Sequence, residues 1–338
     1  VTKILGVGFE PYVGPWDGAQ PVLFNAYSHE QVVTLLKPVA ERFERIRTYG
    51  QGTFIWDSKP KVQDSNRYNI AAASDVGLKV SAGAYQQGAD PGADSINVAW
   101  TETEIDYAIS EAHLHGNVDE LIVGNECLWG PGSAADLRNL IDYAKLLRDT
   151  TGFTAKTLPI TTCQQWGVLA GVGNMDPSFA PMREALLNLL AACEGHVYAN
   201  MYAYFDSSIA SKLGNNPSKA AFTAAATASM EATVCELAQA FADANVSKSI
   251  RIGETGWPTS GTQTAQPAKI ASNEHAQWYY EAMDDWLPVP TYWFAGYDEP
   301  WKGNRGGGSS EAYFGLWTAD GTSTAPDQYT LVSETRKW

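Results

Sequence analysis

Leu121-Ile122-Val123-Gly124-Asn125-Glu126 is an apolar run that stops at a carboxylate, and Ile250-Arg251-Ile252-Gly253-Glu254-Thr255-Gly256-Trp257 repeats the pattern further along the chain. Each reads as a strand whose last residues leave the apolar pattern. A buried strand has little use for a carboxylate at its end. Around these two runs, eight apolar strand-like segments alternate with helical patterns from one end of the chain to the other. Their last residues fall near Phe9, Tyr49, Tyr85, Glu126, Cys163, Tyr202, Glu254 and Tyr297, at intervals of 36 to 52 residues. That interval fits one strand, one helix and two loops. The alternation predicts a parallel sheet, and eight units predict closure into a single (β/α)8 TIM barrel, an α/β fold forming one domain over residues 1–338.

A doubly wound open sheet shares this alternation. However, no glycine-rich dinucleotide fingerprint follows the first strand, because Gly6-Val7-Gly8 precedes Phe9 inside the strand. The helical segments carry the expected period. Val32, Val33, Leu35, Leu36, Val39, Ala40 and Phe43 form one apolar face, and Leu137, Leu140, Ile141, Ala144 and Leu147 another. Thr101-Glu102-Thr103-Glu104 and Ser133-Ala134-Ala135-Asp136 read as capping boxes at two helix starts. The alanine-rich stretch from Lys219 to Ala244 predicts the longest helix.

The charge balance of 23 basic against 38 acidic residues argues against nucleic acid or an anionic membrane surface as partner. No apolar run approaches the roughly 20 residues of a membrane span. A strand lies close behind Val1 with no leader-like segment before it, which fits a mature or trimmed form and leaves secretion open. The sequon Asn245-Val246-Ser247 is too common by chance to fix a compartment. Cys127, Cys163, Cys193 and Cys235 permit three full pairings and dictate none, so buried thiols and disulfides are equally expected.

If Glu126 closes strand four and Glu254 closes strand seven, both face the cleft at the C-terminal end of one barrel and flank one bond. Two carboxyl groups so placed suit glycoside hydrolysis with retention. One protonates the departing oxygen while the other attacks the anomeric carbon, a reaction that needs them about 5–5.5 Å apart. A single glutamate at a strand end is more simply a solvated edge residue. Two of them, each after Gly or Gly-Asn and each followed by tryptophan (Trp129, Trp257), reverse that balance.

Val123-Gly124-Asn125-Glu126, Gly253-Glu254-Thr255-Gly256-Trp257-Pro258 and Tyr297-Asp298-Glu299-Pro300-Trp301-Lys302, with Glu311 downstream, resemble glycoside hydrolase family 17. Arg47-Thr48-Tyr49-Gly50 and Asn200-Met201-Tyr202-Ala203-Tyr204-Phe205 are similar to the same family at strands two and six. The resemblance runs from the first strand to Phe314-Gly315-Leu316-Trp317. It implies a retaining β-1,3-glucan hydrolase or glucanosyltransferase, with Glu254 as nucleophile and Glu126 as acid/base. It further implies that Asn125 binds the sugar 2-hydroxyl, that Tyr202 donates to Glu254, and that Tyr49 and Trp257 contact substrate. Glu299, Lys302 and Glu311 match a charged group beside the family's site. The same group also reads as a structural ion-pair cluster.

Trp56, Trp129, Trp166, Trp257 and Trp301 each follow a strand end and are candidate walls for sugar rings, with Trp257 first among them and Tyr12 a weaker one. Plant-like members carry Pro at the position of Ala203 and a sizeable insertion after strand six. Here only Asp206 to Pro217 joins Phe205 to the next helix, as in the microbial branch, which opens the acceptor side and leaves room for transfer. The implied partner is a β-1,3-glucan oligo- or polysaccharide, and the chain is expected to act as a monomer, secreted to the cell wall or periplasm. His113-Leu114-His115 lacks zinc-protease spacing, and Asp90 and Asp94 lack a calcium-loop pattern. No cofactor or metal is implied. A glucan-binding barrel without turnover is the expectation from a different class.

Overall fold

The computed structural model describes residues 3–13, 27–53, 55–56, 62–90, 92–214, 216–262, 271–286, 288–304, 309–322 and 330–338. Eight parallel strands close on themselves: β1 (Gly6–Gly8), β2 (Arg45–Arg47), β5 (Lys79–Ala84), β6 (Val118–Asn125), β7 (Ile160–Gln165), β8 (His196–Asn200), β9 (Ser249–Thr255) and β10 (Thr291–Trp293). Closure runs through β1, which sets Val7 beside Ile46 of β2 and Gly6 beside Tyr292 of β10. Two antiparallel hairpins stand outside the barrel: β3 (Ile55–Trp56) with β4 (Val62–Gln63), and β11 (Trp317–Thr322) with β12 (Thr330–Arg336). Neither is signalled by an apolar alternation.

The helices are α1 (His29–Ala40), α2 (Asn69–Asp75), α3 (Val98–His115), α4 (Pro131–Thr150), α5 (Trp166–Leu169), α6 (Ala180–Ala192), α7 (Ser207–Leu213), α8 (Lys219–Asp243) and α9 (Asn273–Trp286). The expected faces pack inward: Val32, Leu35, Leu36 and Val39 of α1 and Leu137, Leu140, Ile141 and Ala144 of α4 are buried. At 25 residues, α8 is the longest of the described helices, as its alanines predict. The eighth strand ends at Trp293 rather than near Tyr297, whose hydroxyl donates to the Leu35 carbonyl at 2.7 Å.

Both proposed capping boxes are misplaced. Helix α3 starts three residues before Thr101, where Asn97 accepts from the Trp100 amide at 3.2 Å. Glu104 instead turns to the barrel loops and accepts from the amides of Gln51 (2.5 Å), Thr53 (3.1 Å) and Tyr85 (3.2 Å). At α4, Ser133 is the third helical residue, and its hydroxyl accepts from the amides of Trp129 (2.9 Å) and Gly130 (3.1 Å). The remaining amides of that first turn go to Asp94, from Gly132 at 2.7 Å and Ser133 at 2.9 Å. A distant carboxylate satisfies donors that the local pattern assigned to a neighbour.

All four cysteines are free thiols; Cys127, Cys163 and Cys193 are buried and Cys235 is exposed. The barrel interior is polar toward the strand N-termini. There Glu120 of β6 accepts from Ser81 and from Tyr198 (2.6 Å) and meets His196 Nε2 at 2.7 Å. Burial opposes its charge, yet His196, Ser81 and Tyr198 together bring its pKa down to about 2. Among the described residues no helix is long and apolar enough to cross a membrane.

Candidate active site

At their C-terminal ends all eight barrel strands send residues into one cavity of about 1030 Å³. Arg47, the last residue of β2, organises its floor. It is 0% exposed, and its guanidinium reaches across the barrel to the Gly253 carbonyl (Nη1, 2.7 Å), Glu254 Oε1 (Nη1, 3.2 Å) and Asn125 Oδ1 (Nη2, 2.6 Å). It also lies 4.5 Å from the centre of the Tyr49 ring. Burial works against its charge, but Cys163, Tyr49 and Glu254 outweigh that and raise its pKa. Gly253 has to be glycine for this reach, since a Cβ there would collide with Cys163 Sγ, Asn200 Oδ1 and Arg47 Nη1.

Glu254 stands at the end of β9, 7% exposed, with each oxygen engaged by a donor. Arg47 takes Oε1, and the Tyr202 hydroxyl donates to Oε2 at 2.7 Å. Burial first, and the charge of Glu254 second, push the Tyr202 phenol well above its ordinary range, so it stays a donor.

Glu126 sits differently, one residue beyond β6. Its backbone is left-handed (φ 51°), after Gly124 at φ 74°, a conformation that turns the side chain out of the strand line into the cleft. Its Oε1 accepts from Asn200 Nδ2 at 2.8 Å and its Oε2 from Gln165 Nε2 at 3.4 Å. The carboxyl remains open to the cleft while the walls crowd it. This desolvation, then the charge of Glu254, raises its pKa above the ordinary glutamate range, against the opposing pull of Asn200, Gln165 and Arg47. One carboxyl is held by a cation and a phenol; the other is desolvated and faces the first one's charge.

A third carboxyl group stands on the wall formed by the loops after β1 and β10. Burial and the charge of Glu299 drive Glu10 well above its usual range. Lys302 donates to Glu299 at 2.6 Å. Burial pulls the Lys302 pKa down, but Glu299, Glu10 and Glu254 outweigh it and raise it. Nearby, Tyr12 donates to Asp64 at 2.8 Å and accepts from Asn66 at 2.6 Å.

Of the residues singled out from sequence, Glu126, Glu254, Tyr49, Asn125, Tyr202, Lys302, Glu311, Tyr12, Trp166 and Trp301 line the cavity together. Glu299 lies beneath Lys302 rather than on the wall. Trp257 is not a sugar platform. It is 3% exposed and packs among Tyr204, Phe222 of α8 and Tyr279 of α9, with ring centres 4.8–5.5 Å apart. It is absent from the lining of the cavity that Glu254 borders three residues earlier. Trp129 is 50% exposed beside Gly88, and the side chain of Trp56 lies outside the described residues.

Sequence reasoning gave no role to Arg47, Asn200, Gln86, Gln165 or Glu10. Arg47 closes a strand that is itself charged, Arg45-Ile46-Arg47 after Glu44, so its charge does not stand out as those of the two glutamates do. Amide side chains carry no such signal. Among the described residues no group of three or more His, Cys, Asp or Glu side chains is arranged to hold a metal ion.

A family model described as the BtgE/BtgC glycoside hydrolase domain matches residues 14–315. The chain belongs to that family. This glycoside hydrolase is 26% identical over 212 residues to glucan 1,3-beta-glucosidase BGL2 of Candida albicans, a match covering 60% of each chain. It is 38% identical over 77 residues to a glucan 1,3-beta-glucosidase of Arthroderma benhamiae, covering 21% of this chain and 25% of that one. The matches thus span no more than about 60% of the length of these relatives. An endo-laminarinase structure from Formosa Hel1_33_131 superposes with a TM-score of 0.71 at 20% identity, covering 94% of this chain and 83% of that one. An active-site mutant of Rhizomucor miehei beta-1,3-glucanosyltransferase in complex with laminaritriose superposes with a TM-score of 0.59 at 18% identity, covering 93% and 92%. These two likenesses are of fold, and the fold is the barrel expected from the strand spacing.

Proposed function

We propose that the chain is a retaining β-1,3-glucan-active glycoside hydrolase of the endo-glucanase type, with Glu254 as nucleophile and Glu126 as acid/base. The observation that carries this reading is the unequal treatment of two carboxyl groups in one cavity. Glu254 is bound through both oxygens by donors, an arrangement suited to a carboxylate. Glu126 is raised by desolvation and by Glu254, which suits an acid that holds its proton until the leaving oxygen needs it. In the first step Glu126 gives that proton to the glycosidic oxygen as its bond to the anomeric carbon breaks, the aglycone sugar leaves as an alcohol, and Glu254 bonds the anomeric carbon. In the second, Glu126 as carboxylate takes a proton from water, the water oxygen bonds the anomeric carbon, and Glu254 leaves.

Asn125 holds its carbonyl oxygen toward Arg47 and Asn200 (3.2 Å), which directs the amide nitrogen to the sugar 2-hydroxyl. Tyr49 brings to the wall a hydroxyl that has no hydrogen-bond partner among the described residues. Lys302 and Glu311 border the same cavity. The β-1,3 linkage rests on the names of the relatives and on the motif resemblance. The protein is further read as a secreted or cell-wall monomer with one catalytic domain. Azide rescue tests the roles. Glu254→Ala with azide should release the α-glycosyl azide, and Glu126→Ala with an activated leaving group the β-anomer; the reverse outcome exchanges the two.

Transfer to a second glucan is the alternative. It is favoured by the short α7 link after β8 and by Trp166 on the adjacent wall, which leave room for a sugar where water would attack. Products longer than a defined laminari-oligosaccharide would establish it; only shorter ones at every concentration would exclude it.

A further inference from the structure

The acid/base stands on a backbone that the sheet alone does not hold. Pairing of β5 with β6 ends at Ala84 opposite Val123, so on that side the peptide groups of Asn125 have no strand neighbour. Gln86, two residues past β5, supplies one. Its Oε1 accepts from the Asn125 amide at 2.8 Å, and its Nε2 donates to the Asn125 carbonyl at 2.9 Å. The side chain is 8% exposed and acts as one more rung of the ladder. On the other side the Glu126 amide donates to the Cys163 carbonyl at 3.1 Å, and the Cys127 amide to Gln164 Oε1 at 3.0 Å. Gln164 is itself anchored on Thr162 Oγ1 at 2.8 Å. The left-handed turn at Glu126, rare for a residue with a side chain, is therefore bracketed on both flanks.

We propose that Gln86 is a positioning residue for the acid/base: its amide locks the Asn125–Glu126 peptide and thereby fixes where the Glu126 carboxyl stands. This rests on the reading of Glu126 given above. The glutamine amide carries a donor and an acceptor in one plane at this reach. An ionised glutamate would accept from the Asn125 amide but oppose its carbonyl, and a methionine would leave both unpaired.

The test compares leaving groups. A poor leaving group such as the sugar of a laminari-oligosaccharide requires protonation, whereas an activated dinitrophenolate does not. For Gln86→Met and Gln86→Glu, kcat/KM on laminari-oligosaccharides should fall on the order of tenfold to a hundredfold, the usual consequence of a displaced catalytic group. On a dinitrophenyl β-glucoside it should stay within about threefold, because general-acid help is not used there. Azide should then speed turnover of the activated substrate by relieving the weakened base. Thermal unfolding checks that each variant is folded, and the glutamate variant serves if the methionine one is not.

Equal losses on both substrates, unchanged rates on both, or a KM rise shared by both would overturn the proposal, the last pointing to a sugar contact instead. Glu126→Ala is run alongside. If it shows no leaving-group dependence, the assignment of Glu126 fails. If it does and the Gln86 variants do not, only the positioning role fails.

Discussion

Replacing Arg47 with methionine removes the cation that joins Glu254, Gly253 and Asn125 while filling most of its volume. The loss is more than that of three hydrogen bonds, because Glu254 is left buried with Tyr202 as its remaining donor among the contacts described. Breaking a buried ion pair from one side costs about 3–5 kcal/mol. For 338 residues, an unfolding entropy of about 2.1 cal/mol/K each gives about 0.7 kcal/mol/K, so Tm should drop by about 4–7 °C. The assay is thermal unfolding at neutral pH on wild type, Arg47→Met, Glu254→Gln and the double variant. If the penalty is an orphaned charge, Glu254→Gln should return much of the stability lost in Arg47→Met, a coupling of at least about 1 kcal/mol in the cycle. Additive single effects, or an Arg47→Met variant as stable as wild type, would refute the view of Arg47 as counter-ion.

The basic limb of kcat/KM should lie above the ordinary glutamate range, since the proposed mechanism needs protonated Glu126 and activity is then lost as pH rises through its raised pKa; carboxyl NMR on Glu254→Gln should show Glu126 titrating lower once the neighbouring charge is gone. Glu120, with a folded pKa of about 2, contributes stability that is complete above its unfolded value and is lost as pH falls toward 2. That contribution is on the order of 3 kcal/mol, so Glu120→Gln should flatten the fall of Tm between about pH 5 and 2. Tyr202→Phe should lower kcat by roughly tenfold to a hundredfold, the scale of one lost hydrogen bond to a charge; an unchanged rate would mean that the contact with Glu254 is idle.

The barrel and its two glutamates were legible for one reason. The stretches Leu121-Ile122-Val123 and Ile250-Arg251-Ile252 are apolar but for Arg251, so the carboxyl group that follows each stands out, as at Glu126 and Glu254. What depends on long-range partners was not legible. Asp94 caps α4 from 38 residues away, and Glu104 serves loops 51 and 53 residues back, so local box patterns misassigned both helix starts. Trp257 failed for a related reason. Adjacency to Glu254 in sequence says nothing about which side of the wall a residue takes once the strand has ended. Gln86 and Gln164 carried no signal at all, because an amide gains its meaning from the backbone it faces.

The proposed mechanism gives two residues of one type opposite parts because the fold places them on different ground. Glu254 still belongs to its strand, and at that depth it meets the guanidinium that Gly253 lets through. Glu126 has left its strand through a left-handed turn, and its hydrogen-bond partners are not that cation but the neutral amides of Asn200 and Gln165. Neutral donors moderate a carboxyl's charge without fixing it, which a group that must bind and release a proton in each cycle requires. Exchanging the two side chains' surroundings would therefore require moving a backbone turn as well as a partner. This is why the proposed roles are tied to the strand ends themselves, and why the amide that holds the turn is proposed to bear on the chemistry as directly as the arginine that holds Glu254.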